Sequence, residues 1–450
     1  MPKSVTQYIC NNCGATSTAW AGRCNVCGEW NSLEEQLIVR EESLSTRAAR
    51  GTALPIKAIN YAVTHREERL NCGIEDVNTI LGGGIVPGSV ILMAGQPGIG
   101  KSTLLLQVAQ GLAQKVPVLY VSGEESIHQV GVRAKRLGVE SKSIQLATTT
   151  CADDIAATIN SNKFKVVIVD SIQTLAVNML TAAAGTVSQI SSSTRLIMAA
   201  AKHTNTAVIL AGHVTKEGSI AGPKVLEHVV DVVLQLEGDT YGGYKILRSS
   251  KNRYGSTTEA SMFEMADDGL RVIANPSAAL LAERQISDGS IVLATLEGSR
   301  PLLVEVQALV NRTSFGYPKR TASGIDQNRV NLLTAVLEKR TKLQLSDKDI
   351  YLNIVGGIHL NDPAADLAVC MAIGSAAKGF SLQSNAVVFG EVGLSGEIRH
   401  VPFIEKRIRE AKKMGFSVAI GPRPTGSTKI AGLTPVTDVR TALNKFLIKH

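Results

Sequence analysis

Between residues 66 and 273 the chain alternates short, continuously apolar runs with stretches of helical period. Uninterrupted apolar runs suit strands buried on both faces, and helices between them suit crossovers that cover those faces. Strands are predicted over Val90–Ala94, Val118–Ser122, Val166–Asp170, Ala207–Ala211, Val229–Leu236 and Tyr244–Ser249. Helices are predicted over Thr103–Gln114, His128–Leu137 and Ser188–His203. This order predicts an α/β domain on a parallel sheet. Residues 280–450 read differently, with strands over Ser290–Thr295, Leu302–Val306, Ile350–Val355 and Ala386–Gly390. Helices over Arg329–Lys342, Pro363–Lys378 and Pro402–Gly415 lie among them; the first sets Val330, Leu333, Val336 and Leu337 on one face. A compact α+β domain is expected there. Residues 31–65 show no period and read as a linker.

The strand at Val90–Ala94 runs into Gly95-Gln96-Pro97-Gly98-Ile99-Gly100-Lys101-Ser102, with Thr103 opening the next helix. This is G-x-x-x-x-G-K-[ST] between a strand and a helix, the context that marks a phosphate-binding loop. Glycines let backbone N–H groups close on a phosphate, and the helix N-terminus adds partial positive charge. Lys101 is expected on the β/γ-phosphates of ATP and the Ser102 hydroxyl on Mg²⁺.

Three further strand ends carry polar groups. Asp170 closes Val166–Asp170 and is expected to hold Mg²⁺ through water. Glu124, with Glu125 as the alternative, follows the preceding strand and is expected to polarise the attacking water. His213 follows Ala207–Ala211 and reads either as a sensor of the γ-phosphate or as a core histidine. Beyond the last strands, Lys251-Asn252-Arg253-Tyr254-Gly255 is short and basic. Lys251 and Arg253 are expected to reach the ATP site of a neighbouring subunit, since arginine stays charged and forks onto phosphate oxygens. The alternative is contact with DNA or solvent.

Residues 1–30 hold Cys10, Cys13, Cys24 and Cys27, two C-x2-C knuckles ten residues apart. Paired knuckles suit one tetrahedral S4 site, and four thiolates with no labile ligand suit structural Zn²⁺. Two disulfides or an iron–sulfur site are the alternatives, and a reducing compartment disfavours the first.

Hydrophobic residues make up 44% of the 450 and charged residues 19%, a folded composition. No apolar run of about 18 residues occurs and the N-terminus lacks a signal-peptide core, so a cytoplasmic protein without a membrane partner is expected. The net charge of +8 favours a polyanionic partner. Between Ser299 and Lys342 eight basic residues (Arg300, Arg312, Lys319, Arg320, Arg329, Lys339, Arg340, Lys342) face three acids.

Four features in this order resemble the RadA (Sms) family of bacterial DNA repair proteins. They are the four-cysteine motif, the loop preceded by Leu81-Gly82-Gly83-Gly84-Ile85-Val86-Pro87-Gly88, the Lys251–Gly255 motif, and a C-terminal region similar to the Lon protease domain. The family's fourth motif position is usually Phe; Tyr254 keeps the ring. The resemblance implies a zinc motif over 1–30, a RecA-like ATPase core over 66–273 and a Lon-protease-like domain over 280–450. It implies a DNA-dependent ATPase acting in homologous recombination, promoting branch migration and extension of recombination intermediates. Single-stranded and branched DNA, the RecA recombinase and a homo-hexameric ring are the partners it implies. The Lon-like region has Ala364 where the nucleophile would stand, in Asn361-Asp362-Pro363-Ala364-Ala365-Asp366, and Glu405 at the lysine position. Without nucleophile and base there is no acyl chemistry, so this domain is expected to be a scaffold for ring assembly and DNA contact. The competing functions are a Lon-like ATP-dependent protease and a non-motor zinc module in which ATP is only a switch.

Overall fold

A seven-residue strand with two adjacent glutamates is hard to see by pattern, and one opens the departure from the expected organisation. The computed structural model describes residues 4–39, 68–213, 225–238, 243–314, 316–424 and 430–449. Strand β1 (Ser4–Cys10) pairs antiparallel with β2 (Thr16–Ser17) and, along its full length, with β3 (Leu33–Val39). The linker expected from residue 31 therefore begins with a strand of the cysteine motif; residues 40–67 lie outside the described ones.

The central region follows the apolar runs. In chain order it comprises α1 (Glu75–Ile80), β4 (Val90–Gly95), α2 (Lys101–Leu112), β5 (Val118–Ser122), α3 (Ile127–Arg136), β6 (Ile144–Thr148), α4 (Ala152–Asn160), β7 (Val166–Asp170), α5 (Val187–Thr204), β8 (Ala207–His213), α6 (Val225–Val229) and β9 (Val232–Gly238). The strands lie in the order β9-β4-β8-β7-β5-β6, every neighbour parallel. All six residues of β4 and all five of β5 are buried, as the apolar runs require. Each fully buried Val, Leu or Ile there contributes about 1.5–3 kcal/mol relative to exposure. Ser126 caps α3 reciprocally with Gln129, which fixes where that helix starts.

Register decides where the strands end. Gly95 lies opposite His213 on β8 and Leu236 on β9, and Ser122 lies opposite Asp170. Four strand ends thus finish at one edge, the place where open α/β sheets bind ligands. The strand expected from Val229 starts at Val232, because Val225–Val229 is helical.

The chain forms two compact units. The first holds Met1–Glu237, Leu247–Thr257 and Ala266–Leu270; the second holds Gly238–Ile246, Thr258–Met265 and Arg271–His450. The single crossing expected between 273 and 280 is replaced by several. Strand β10 (Lys245–Asn252) contains one of them. In the second unit a mixed seven-stranded sheet runs Arg320–Ser323, Lys348–Ile354, Arg300–Arg312, Ser290–Glu297, Ala386–Val388, Val418–Pro422, Leu433–Val436. The helix Ala365–Lys378 is buried from Ala365 through Ser375. This is the α+β domain expected. Among the described residues no helix is long and apolar enough to cross a membrane.

Candidate active site and metal centre

The loop between β4 and α2 is shaped by backbone. Gly98 and Gly100 take φ of 76° and 115°, a region closed to most side chains. Gln96, Pro97 and Gly98 are exposed, while Ile99 is buried and anchors the loop. Ser102 is half-buried and Thr103 buried at the start of α2.

Lys101 is buried, and its Nζ donates to the carbonyls of Gly95 at 2.8 Å and Gln96 at 2.9 Å. It lies 3.1 Å from Nδ1 of His213, whose Nε2 lies 3.4 Å from Oε1 of Glu124. Burial brings the Lys101 ammonium down to about 8, against the opposing pull of Asp170 and Glu124. Burial raises the Glu124 carboxyl, but the Ser171 hydroxyl, His213 and Lys101 together leave it below its ordinary range. Glu124 is therefore ionised and faces the lysine. Glu125 turns away and pairs with Arg133 at 2.5 Å. Asp170 accepts a hydrogen bond from the Tyr120 hydroxyl at 2.7 Å. Lys101, Glu124, Asp170 and His213 thus converge from four segments. Spacing along the chain does not single out Tyr120, a hydroxyl within buried β5, or Ser171, the residue after the acidic end of β7.

The Lys251–Gly255 motif lies at the other end of the sheet. The backbone N–H of Arg253 donates to the Asp231 carbonyl at 3.2 Å, and Asp231 Oδ2 accepts from the N–H of Val90, the first residue of β4. Arg253 Nη1 lies 3.3 Å from Asp231 Oδ1, and its side chain is 56% exposed. Lys251 is engaged differently. Its Nζ donates to the carbonyls of Glu227 at 2.6 Å, His228 at 3.2 Å and Val230 at 2.7 Å, covering the C-terminal end of α6. An ammonium has three donors, and all three are used. Asn252 donates to the Ile80 carbonyl at 3.1 Å, and Arg69 to the Tyr254 carbonyl at 2.8 Å. The sequence pairs Lys251 with Arg253; the fold separates a capping lysine from a half-exposed arginine.

The four cysteines form the metal centre. Gly14 N–H bonds to the Cys10 carbonyl at 2.8 Å and Gly28 N–H to the Cys24 carbonyl at 2.9 Å, so the two knuckles fold alike. Their four sulfurs lie within 4.8 Å of one another, Cys10 to Cys27 at 3.6 Å and Cys13 to Cys24 at 3.7 Å. A tetrahedron with Zn–S of about 2.3 Å has sulfur separations of roughly 3.8 Å. The thiols therefore fit one Zn²⁺, and all four cysteines are free of disulfides.

In the second unit Ala364 is fully buried and donates its N–H to Asp362 Oδ1 at 3.0 Å. Glu405 is exposed. Arg407, two residues on, is completely buried and donates to Asp362 Oδ2 at 2.7 Å and to the Ala294 carbonyl at 2.8 Å. A structural ion pair thus lies beside Ala364, and neither Ala364 nor Glu405 supplies a nucleophile or lysine base. The basic stretch also divides. Arg329 is locked to buried Asp366 and Arg340 bonds to the Leu394 carbonyl at 3.3 Å, whereas Arg312 and Lys319 are exposed.

Comparison with known proteins fits these parts in order. Residues 8–35 match the rubredoxin metal binding domain, 61–219 the AAA domain, and 319–424 the subunit ChlI of Mg-chelatase. The chain is 46% identical to the DNA repair protein RadA of Listeria monocytogenes, over 99% of each chain. It is 45% identical to that of Bacillus subtilis over 96% of each, and 44% identical to that of Pseudomonas aeruginosa over 94% of each. Identity at this level along nearly the whole of both chains, with the loop and the cysteine centre in place, makes this chain a member of the RadA family of DNA repair proteins.

Proposed function

We propose that the chain is a DNA-dependent ATPase that moves on single-stranded DNA as a homo-hexameric ring, extending and branch-migrating recombination intermediates in concert with the RecA recombinase. The observation that carries the ATPase part is the convergence of Lys101, Glu124, Asp170 and His213 at one edge of the sheet. Lys101 gives up the Gly95 and Gln96 carbonyls for the β- and γ-phosphate oxygens. Mg²⁺, held by Ser102 and through water by Asp170, would neutralise charge on those oxygens. Glu124, held ionised, accepts a hydrogen bond from the attacking water and aims it at the γ-phosphorus. Water and ATP become ADP and inorganic phosphate. His213, touching both Lys101 and Glu124, is placed to sense whether the γ-phosphate is present.

Arg253 is the cation for the neighbouring subunit's site. Its position beside the start of β4 puts it a strand length from its own loop, which supports action in trans. The exposed Arg312 and Lys319 of the second unit support a role in DNA contact. The buried Ala364 and exposed Glu405 argue against peptidase activity. ATP turnover measured while single-stranded DNA is titrated at several salt concentrations tests the reading. Stimulation that weakens with salt is expected, and Lys101→Ala should abolish turnover in a folded protein. Turnover indifferent to DNA would leave only an ATP switch.

A further inference from the structure

Asp170 ends β7 with a carboxylate that must present a fixed oxygen to a metal-bound water. Aspartate is poorly suited to hold such an orientation alone, because its terminal torsion is broad. In this chain one group fixes it. Residues 120 and 122 of β5 lie opposite 168 and 170 of β7, so Tyr120 and Asp170 are diagonal neighbours on one face of the sheet. Diagonal neighbours in a sheet are within reach of an aromatic side chain. The Tyr120 ring is buried in the core, 1% exposed, and its hydroxyl donates to Asp170 Oδ2 at 2.7 Å. Among the described residues this is the only hydrogen bond that the Asp170 carboxylate accepts. Glu124, by contrast, is oriented by Ser171 and His213.

We propose that Tyr120 is a positioning residue for the metal of the nucleotide site: its hydroxyl occupies Oδ2 and thereby holds Asp170 Oδ1 toward the water shell of that metal. The ring contributes to the core and would do so as phenylalanine. Only the oxygen serves the site. This rests on the reading that Asp170 holds Mg²⁺ through water. Removing an outer-shell partner of a metal ligand typically costs ~10–100-fold in metal affinity, and a ligand acting through water belongs at the lower end.

The experiment uses the full-length chain, Tyr120→Phe, Asp170→Asn and the double variant. Binding of a fluorescent, non-hydrolysable ATP analogue is measured in EDTA and then across a Mg²⁺ titration. Tyr120→Phe should bind the analogue in EDTA as the parent does and need about tenfold more Mg²⁺ to reach the tight-binding form. The double variant should match Asp170→Asn. A purely structural hydroxyl would lower the melting temperature, also recorded, without moving the Mg²⁺ midpoint, and that result overturns the proposal. An added shift in the double variant overturns it too, since the hydroxyl would then act elsewhere. If Asp170→Asn itself keeps the parental Mg²⁺ dependence, the role of Asp170 fails and this proposal with it; a shift in Asp170→Asn alone overturns only the role of Tyr120.

Discussion

Arg253 and Lys251 sit two residues apart, yet their surroundings predict opposite consequences when each is changed to alanine. Strand β4 rises about 3.3 Å per residue, so its five steps from Val90 to Gly95 separate Arg253 from its own phosphate loop by roughly 17 Å. No side chain spans that distance, so Arg253 does not act on the nucleotide of its own loop, and the proposed role in a neighbouring subunit's site is the one tested here. An arginine so placed is worth roughly 10³–10⁵ in turnover. Its contribution to stability is small. It is half exposed, an exposed pair contributes about 1 kcal/mol at most, and Asp231 keeps Lys202 at 2.6 Å and the Val90 N–H at 3.0 Å. Removing Lys251 leaves three carbonyls at the end of α6 without their charged donor. That costs about 1.5 kcal/mol, the low end for such bonds because the ammonium is only partly covered. For a unit of this size the melting temperature falls by roughly 3–6 °C. Arg253→Ala should therefore melt with the parent, bind ATP and lose DNA-stimulated turnover. Lys251→Ala should melt early and keep more turnover than Arg253→Ala. Mixing Arg253→Ala with Lys101→Ala chains should restore some activity, because a mixed ring of the proposed kind contains intact composite sites. ATPase rates, analogue binding and thermal melts of the three variants read these outcomes. Parental turnover in Arg253→Ala refutes its proposed action on a neighbouring ATP site. An unshifted melt with complete loss of turnover in Lys251→Ala shows that Lys251 leaves its carbonyls and acts on phosphate.

Three further outcomes are expected. About one Zn²⁺ per chain should be bound, and Cys13→Ala should lose it; both tryptophans, Trp20 and Trp30, lie in this motif, so their fluorescence follows its unfolding while ATP turnover at Lys101 persists, and a zinc-free parent refutes the site. ATP affinity should be flat below about pH 7 and fall as pH rises through about 8, because phosphate favours the charged lysine whose free value burial has lowered to about 8; binding then takes up a proton, and pH-independent affinity up to about pH 9.5 refutes the argument. Replacing Arg312, Lys319 and Arg320 by glutamine should weaken single-stranded DNA binding and flatten its salt dependence, whereas Arg329→Gln should instead destabilise the second unit by leaving buried Asp366 without its charged partner; unchanged affinity and slope in the triple variant leave those residues merely solvated.

What the sequence discloses here is what spacing along the chain controls. The phosphate loop needs eight consecutive residues running from a strand end into a helix start, and Gly95 ends β4 while Lys101 and Ser102 open α2. The cysteine pairs likewise fold through bonds four residues apart, Gly14 to Cys10 and Gly28 to Cys24. Strands β4, β5, β7 and β8 are legible because parallel strands covered on both sides tolerate no polar interruption. Strand β6 escapes notice because it is only partly buried. Strand β3 does so because Glu34 and Glu35 break its apolar pattern, and its partner β1 lies more than twenty residues upstream.

The contacts that give site residues their roles depend on strand order, which no local pattern fixes. Tyr120 meets Asp170 across 50 residues, and Lys101 meets His213 across 112. Both pairs follow from placing β7 beside β5 and β8 beside β4. Lys251 shows how one local misreading carries forward. Val229 reads as the first residue of an apolar strand, but Val225–Val229 closes as a helix, and that helix end supplies the carbonyls of Glu227 and His228, with Val230 following it. With the helix unseen, Lys251 looks like an unpaired cation equivalent to Arg253. Once it is seen, the motif resolves into one residue that fastens the backbone and one left half exposed beside it, so the two positions make separable predictions when each is replaced.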